Sequence, residues 1–151
     1  MRTRVHALVI PSDIGEFADD VRQIFRVLGR AFGDTLTGEC SPPIDVHETA
    51  DAIAITADLP GVDTNTVRII VRGQAILIAG EKAPRRGRGD ASFHLVERGY
   101  GRFARTVRLT RPFDSARATA TLVNGELRIT LPKVVERRGA PIQISISPIA
   151  G

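Results

Sequence analysis

The stretch Ala120-Thr-Leu-Val-Asn-Gly-Glu-Leu-Arg-Ile-Thr-Leu-Pro-Lys133 is the most informative part of this sequence for its architecture. Apolar and polar residues alternate on both sides of Asn124 and Gly125, which is the pattern of half-buried strands. A two-residue Asn-Gly loop favours a type I′ turn, because that turn requires a positive φ at both positions. Pro132 lacks the backbone N–H that continues a ladder, so it ends the second strand. The stretch therefore predicts a β-hairpin.

The same period of two recurs through most of the chain upstream. We predict further strands at residues 53–59, 67–71, 75–79, 93–96 and 103–109, and the hairpin strands at 117–123 and 127–131. Turn residues such as Pro60-Gly61 separate them, whereas residues 83–92 are rich in Arg and Gly and predict an exposed loop. Seven or eight short strands at this spacing predict an all-β sandwich or barrel.

Residues 12–32 depart from this pattern and predict one amphipathic helix. Ser12 is a suitable N-cap, and Asp13 and Glu16 lie in the first turn, where the helix dipole favours negative charge. Gly33 is a natural stop, and residues 33–43 predict a linker. One apolar stripe follows helical spacing and comprises Ile14, Phe17, Val21, Ile24, Phe25 and Leu28.

The net charge of +4 conceals an asymmetry between the two parts of the chain. Residues 1–63 carry 5 basic and 11 acidic side chains (−6), and residues 64–151 carry 16 basic and 6 acidic ones (+10). An Arg-rich half could bind nucleic acid. Solvated strand faces, or ion pairs with the acidic half, are the favoured interpretation, because charge alone is weak evidence for nucleic-acid binding.

No constellation of residues indicates catalysis. His6, His47 and His94 lie far apart in the sequence, and Cys40 has no metal-ligand spacing to any of them. There is also no phosphate-binding loop. We therefore expect no enzymatic activity, no metal, no cofactor and no small-molecule substrate. A single cysteine fits a reducing compartment, no apolar run is long enough for a transmembrane segment, and Pro11 shortens the apolar start too early for a signal peptide.

Five segments, in order, resemble the small heat shock proteins of the α-crystallin family. Residues 120–133 resemble the signature A-x-x-x-N-G-V-L-x-I-x-x-P-K, with Glu126 in place of the usual Val. Residues 98–109 resemble the segment R-x-x-G-x-F-x-R-x-x-x-L-P, with Thr110 where the final Pro normally stands. The segments Pro43-Ile-Asp-Val-His-Glu48 and Ala57-Asp-Leu-Pro-Gly-Val62 match the opening strands, and Ile142-Gln-Ile144 is similar to the I-x-I motif. The resemblance covers residues 42 to 146.

The resemblance implies an immunoglobulin-like β-sandwich, the α-crystallin domain, at residues 42–134. It is flanked by a helical N-terminal arm (1–41) and an extended C-terminal extension (135–151). The resemblance also implies a cytoplasmic stress-response chaperone that holds unfolding client proteins without ATP. Such a protein is a homo-oligomer assembled from dimers.

Site residues follow from the same resemblance. The oligomerisation tail is Ile142 and Ile144, with Ile144 and Ile146 as an alternative register. The groove that receives the tail is lined by Val67, Ile69, Val71, Ala118, Ala120 and Leu122. The dimer interface is formed by Ile44, Val46, Phe93, Leu95 and Arg105, with the strand at 93–96 exchanged onto a neighbour's first strand. The helical stripe listed above is predicted separately to be the client-binding surface. A lone exposed apolar helix would be an aggregation liability, so we expect the stripe to lie against other arms in the resting oligomer and to become available to clients on warming.

Arg105 carries two open interpretations. Alternation puts it on the same strand face as Phe103 and Val107, and a charge on an apolar face must be paired or lie at an edge. It is either an edge charge that prevents stray strand pairing or the partner of a carboxylate across a subunit interface.

Two other functions compete with the holdase. A co-chaperone of similar fold that binds one folded chaperone would lack the amphipathic arm and the I-x-I tail, and this chain has both. An Arg-driven nucleic-acid binder would need aromatics interleaved with basic residues. The best candidate for such a patch is formed by Phe93, Tyr100 and Phe103 among Arg98, Arg102 and Arg105. The period-two position of Phe103 assigns it to the core instead, so nucleic acid is not expected as a partner.

Overall fold

The computed structural model describes residues 9–11, 15–32, 40–83, 92–134 and 143–146. In this part of the chain, eight strands and one α-helix, α1 (Ala18–Phe32), form a β-sandwich with the helix on one outer face. The strands are β1 (Val9–Pro11), β2 (Ile44–Glu48), β3 (Ala52–Asp58), β4 (Arg68–Arg72), β5 (Ala75–Lys82), β6 (Gly101–Leu109), β7 (Thr119–Val123) and β8 (Glu126–Pro132). Short 3-10 turns lie at Gly15–Phe17, Thr64–Thr66 and Ser115–Arg117.

The strands make two four-stranded antiparallel sheets. Sheet A has the order β1-β6-β5-β4, and sheet B has the order β2-β3-β8-β7. The inward side chains of both sheets meet in one buried core of Ile, Leu, Val and Phe, with Ile53, Ile55, Ile76, Ile78, Phe103, Leu109 and Leu131 among its members. The predicted all-β sandwich is confirmed.

The Asn-Gly hairpin forms as predicted. Asn124 has a φ of 53° and Gly125 a φ of 77°, the two positive values that a type I′ turn requires. This turn is also hydrogen-bonded to the turn that follows β3. The Leu59 amide donates a hydrogen bond of 2.6 Å to the Gly125 carbonyl. A Cβ atom at Gly125 would lie 2.8 Å from the Cα of Pro60. Glycine is therefore required there for its conformation and for its lack of a side chain.

Strand β5 is buried on both faces. Ile76 and Ile78 point into the sandwich core, whereas Ala75, Leu77 and Ala79 point outward and are completely buried beneath α1. A strand covered on both sides is apolar throughout rather than alternating. The prediction of a strand at 75–79 was therefore correct in type and too short, since β5 continues to Lys82.

Other boundaries differ from the predictions. The predicted helix at 12–32 begins with the 3-10 turn at Gly15–Phe17 and becomes α-helical at Ala18, while Ser12 and Ile14 lie outside the described residues. Such turns are common where helices begin. The strand predicted from Arg117 begins only at Thr119, because the Asp114 side chain caps the preceding 3-10 turn by accepting from the Ala116 amide.

One strand was missed by the sequence patterns, and one predicted strand does not form within the single chain. The three-residue β1 pairs with the end of β6, and its shortness and terminal Pro11 hid it from a periodicity argument. Residues 93–96 form no strand, and Phe93, Leu95 and Val96 are exposed. A segment needs a neighbouring strand to complete a ladder, and this one pairs with none of the described strands of its own chain.

Candidate oligomer and client-binding surfaces

The predicted tail-binding groove lies between β4 and β7, which are edge strands of the two sheets. Five of its six residues pack against the core and stay half-buried, namely Val67, Ile69, Val71, Ala118 and Leu122. The sixth, Ala120, lies on β7 and is exposed. The predicted groove residues thus lie on or next to edge strands of the two sheets.

The predicted tail is not buried in this groove. Ile144 and Ile146 are 86% and 95% exposed, and Ile142 lies outside the described residues. The tail therefore leaves its described isoleucines exposed to water in the single chain.

The predicted dimer residues other than Arg105 fall into two groups. Ile44 and Val46 are half-buried on β2, which is an edge strand of sheet B. Phe93 and Leu95 are 71% and 74% exposed. Val96, which the predicted interface omitted, is exposed as well. The segment that contains Phe93, Leu95 and Val96 pairs with no strand in the described part of its own chain. Within that part, one edge of β2 also has no neighbouring strand.

Arg105 lies on the predicted strand face, and it has a partner within its own chain. The strand buries Phe103 and Val107 on either side of it, and the Arg105 guanidinium donates a hydrogen bond of 2.7 Å to the Pro42 carbonyl. This contact ties the segment before β2 in sheet B to β6 in sheet A. Neither open interpretation named a backbone carbonyl as the acceptor.

The helical stripe packs on the outer face of sheet A. Phe17, Val21 and Leu28 are buried, and Ile24 and Phe25 are half-buried against the same cluster. Sequence reasoning found the stripe and missed the surface that covers it. The available indication was the unbroken apolar run of β5, which implies a cover on both faces.

Two partly exposed ion pairs connect the 3-10 turn at Gly15–Phe17 and the first turn of α1 to that face. Arg72 donates two hydrogen bonds of 2.9 Å to the Asp20 carboxylate, and Arg108 pairs with Glu16. The two-point geometry of the Arg72 contact orients the helix as well as attracting it. The acidic first half of the chain and its Arg-rich second half therefore meet here within one molecule.

Glu81 is the charged side chain that the described structure buries most completely, at 2% exposure. Its carboxylate has no hydrogen-bond partner among the described residues. Burial raises the pKa of Glu81, and the charge of Arg102 on the adjacent strand acts in the opposite direction.

Within the described ranges, no group of three or more His, Cys, Asp or Glu side chains is arranged to hold a metal ion. No helix in that part of the chain is long and apolar enough to cross a membrane. The features that call for a functional explanation are the apolar surfaces.

Comparison with known proteins agrees with these features. A model of the Hsp20/alpha crystallin family matches residues 45–147. Heat shock protein 16 of Schizosaccharomyces pombe is 35% identical over 74% of this chain and 78% of its own length. Spore protein SP21 of Stigmatella aurantiaca is 33% identical over 70% of this chain, which spans 63% of that relative's length.

Solved structures show the same similarity. Heat shock protein 16.0 from S. pombe superposes with a TM-score of 0.61 at 34% identity, covering 72% of this chain and 99% of that one. A small heat-shock protein from Xylella fastidiosa gives a TM-score of 0.61 at 28% identity, covering 71% and 96%. The chain belongs to the Hsp20/alpha crystallin family of small heat shock proteins.

Proposed function

We propose that this protein is an ATP-independent holdase that binds unfolding proteins and prevents their aggregation. It works as a homo-oligomer assembled from dimers, and it does not catalyse a reaction. We further propose a cytoplasmic location, which the unpaired thiol of Cys40 supports.

One observation carries the proposal: the single chain leaves large apolar side chains uncovered at separate places. Phe93 and Leu95 are exposed in one segment, and Ile144 and Ile146 in another. Exposed apolar clusters mark interaction surfaces, since a monomer gains nothing from leaving them in water. A protein with several such surfaces is suited to binding copies of itself and other exposed apolar chains.

The assembly has two proposed contacts. The segment at 93–96 pairs with the free edge of β2 in a neighbour, where Ile44 and Val46 are half-buried. The tail inserts its isoleucines into the groove between β4 and β7 of another subunit. Fully burying an isoleucine contributes roughly 1.5–3 kcal/mol, so each tail link is weak and many links together are strong.

Aggregation of a heat-unfolding protein, followed by light scattering, tests the function. We expect the chain to suppress scattering at a one-to-one subunit ratio, equally with and without ATP. Serum albumin at the same mass is the control for crowding by an unrelated protein. Suppression that requires ATP, or no suppression at all, contradicts the proposal.

A further inference from the structure

The outer face of sheet A consists of apolar side chains with arginines beside them. Its central strand contributes Ala75, Leu77 and Ala79, which are buried beneath the helix. Strand register puts Arg72 and Arg108 on either side of Ala75. Without the helix, this face is an apolar trough bordered by Arg72 and Arg108 at one end, and by Arg68, in register with Ala79, and Arg102, in register with Glu81, toward the other.

The helix that occupies the trough matches it in charge as well as in shape. Phe17 and Val21 enter the apolar centre, and Glu16 and Asp20 meet the two arginines. An apolar stripe with acidic residues beside it therefore satisfies both parts of the surface.

The opposite end of the trough has a different character. The side chains of Glu81 and Arg102 lie in register there, and the Arg102 guanidinium lies 5.4 Å from the centre of the Phe25 ring. The carboxylate of Glu81 is buried beside Arg102 and has no hydrogen-bond partner among the described residues.

The helix covers the trough incompletely. A crevice of about 240 Å³ remains between α1 and β4, bordered by Val27 and Ile70, and Val27 is 54% exposed. The helix also packs in a cluster separate from the sandwich core. The apolar contact that holds the helix is therefore distinct from the core that joins the two sheets.

We propose that the outer face of sheet A binds acidic amphipathic helices of non-native proteins, and that the arm helix occupies it in competition with them. This inference rests on the proposed holdase function and adds a chemical preference to it. The charge complementarity of the trough selects the partner, because a helix with basic flanks would meet Arg72 and Arg108 with like charge.

Two single variants distinguish the effect of releasing the helix from the effect of changing the charge of the surface beneath it. Asp20→Arg and Arg72→Asp break the same ion pair and create like-charge repulsion, so both loosen the helix. Only Asp20→Arg keeps the cationic border. The double variant Asp20→Arg/Arg72→Asp restores a pair of reversed sign and serves as the control.

The probe is a fluorescent amphipathic peptide of about five turns with leucines on one face and glutamates beside them, and a matched peptide has lysines in place of the glutamates. Binding to the full chain is measured by anisotropy at low ionic strength. We expect Asp20→Arg to bind the glutamate peptide about three- to tenfold more tightly than wild type, because a larger fraction of troughs is open. Arg72→Asp should bind it more weakly than Asp20→Arg does. The double variant closes the helix again but lacks the Arg72 cation, so it should bind the glutamate peptide more weakly than wild type.

Equal affinity of both single variants for the glutamate peptide would locate binding elsewhere and overturn the inference. Equal binding of the glutamate and lysine peptides would also overturn it, as would binding of an arm peptide of residues 12–32 without binding of the glutamate peptide. Suppression of aggregation by the wild-type chain is measured separately. Its failure would refute the holdase while leaving the peptide result interpretable.

Discussion

Among the individual residues, Glu81 carries a buried charge that is unfavourable for folding. Its carboxylate is buried without a hydrogen-bond partner among the described residues. The pKa of Glu81 is raised in the folded state, so the protonated form is favoured by folding. The resulting stability is fully present below the ordinary value of 4.5 and is lost as pH rises through the raised pKa.

Replacing this carboxylate tests the sign of the effect. We expect Glu81→Gln to raise the free energy of unfolding at neutral pH, by up to about 1–3 kcal/mol, the cost of an unsatisfied buried group. The advantage over wild type should shrink as pH falls toward 4.5, measured by denaturant titration at each pH. Glu126→Gln, at an exposed site, is the control. An advantage that stays constant with pH would show that the charge of Glu81 is not the cause.

Arg105 offers a second test on a single side chain. Arg105→Ala removes the donor to the Pro42 carbonyl, and we expect a loss of about 1–2 kcal/mol in the free energy of unfolding, because the bond is charge-assisted but only half-buried. Arg105→Lys keeps the charge and should recover part of the loss. If unfolding is unchanged while the dimer dissociates more readily on dilution, Arg105 acts across the subunit interface instead.

Among the secondary-structure elements, the sequence was sufficient where a pattern is local. The hairpin around Asn124 and Gly125 follows from the φ values that the dipeptide prefers, and the helix follows from its apolar stripe. Strand β1 was missed because three residues are too few to establish a period. The partners of the helix and of Arg105 depend on residues far away in the chain, which a local pattern does not specify.

The tail is the element whose register remains a prediction. We predict that either Ile142 and Ile144 or Ile144 and Ile146 fill the proposed groove, and two double variants distinguish these registers. We expect Ile142→Ser/Ile144→Ser to reduce the oligomer to dimers, because both proposed anchors are lost. Ile144→Ser/Ile146→Ser should have a smaller effect, because Ile142 still offers one anchor.

Native mass by light scattering measures the outcome, and circular dichroism checks that the sandwich stays folded. A larger loss of mass for the second variant would assign the register to Ile144 and Ile146. Full mass in both variants would contradict the tail link and move the assembly contact to the arm.

For the molecule as a whole, two separate apolar clusters imply two cooperative units. Among the described residues, twelve buried side chains form the core between the sheets, whereas five form the contact between the helix and sheet A. The smaller contact has less apolar area to bury, and regions with few buried contacts open first. Warming should therefore release the helix before the sheets unfold.

Hydrogen exchange on warming measures this order directly. We expect the amides of α1 to lose protection at a lower temperature than those of β3 and β8, which pair along seven residues each. Phe17→Ala, which costs about 3–5 kcal/mol at a buried site, should abolish the protection of α1 and leave the sheets unchanged. Ile55→Ala, about 2–5 kcal/mol in the sandwich core, should lower the unfolding temperature of the sheets. Simultaneous loss of protection in helix and sheets, in wild type and in Phe17→Ala alike, would show that the molecule unfolds as one unit and that the helix does not uncover sheet A independently.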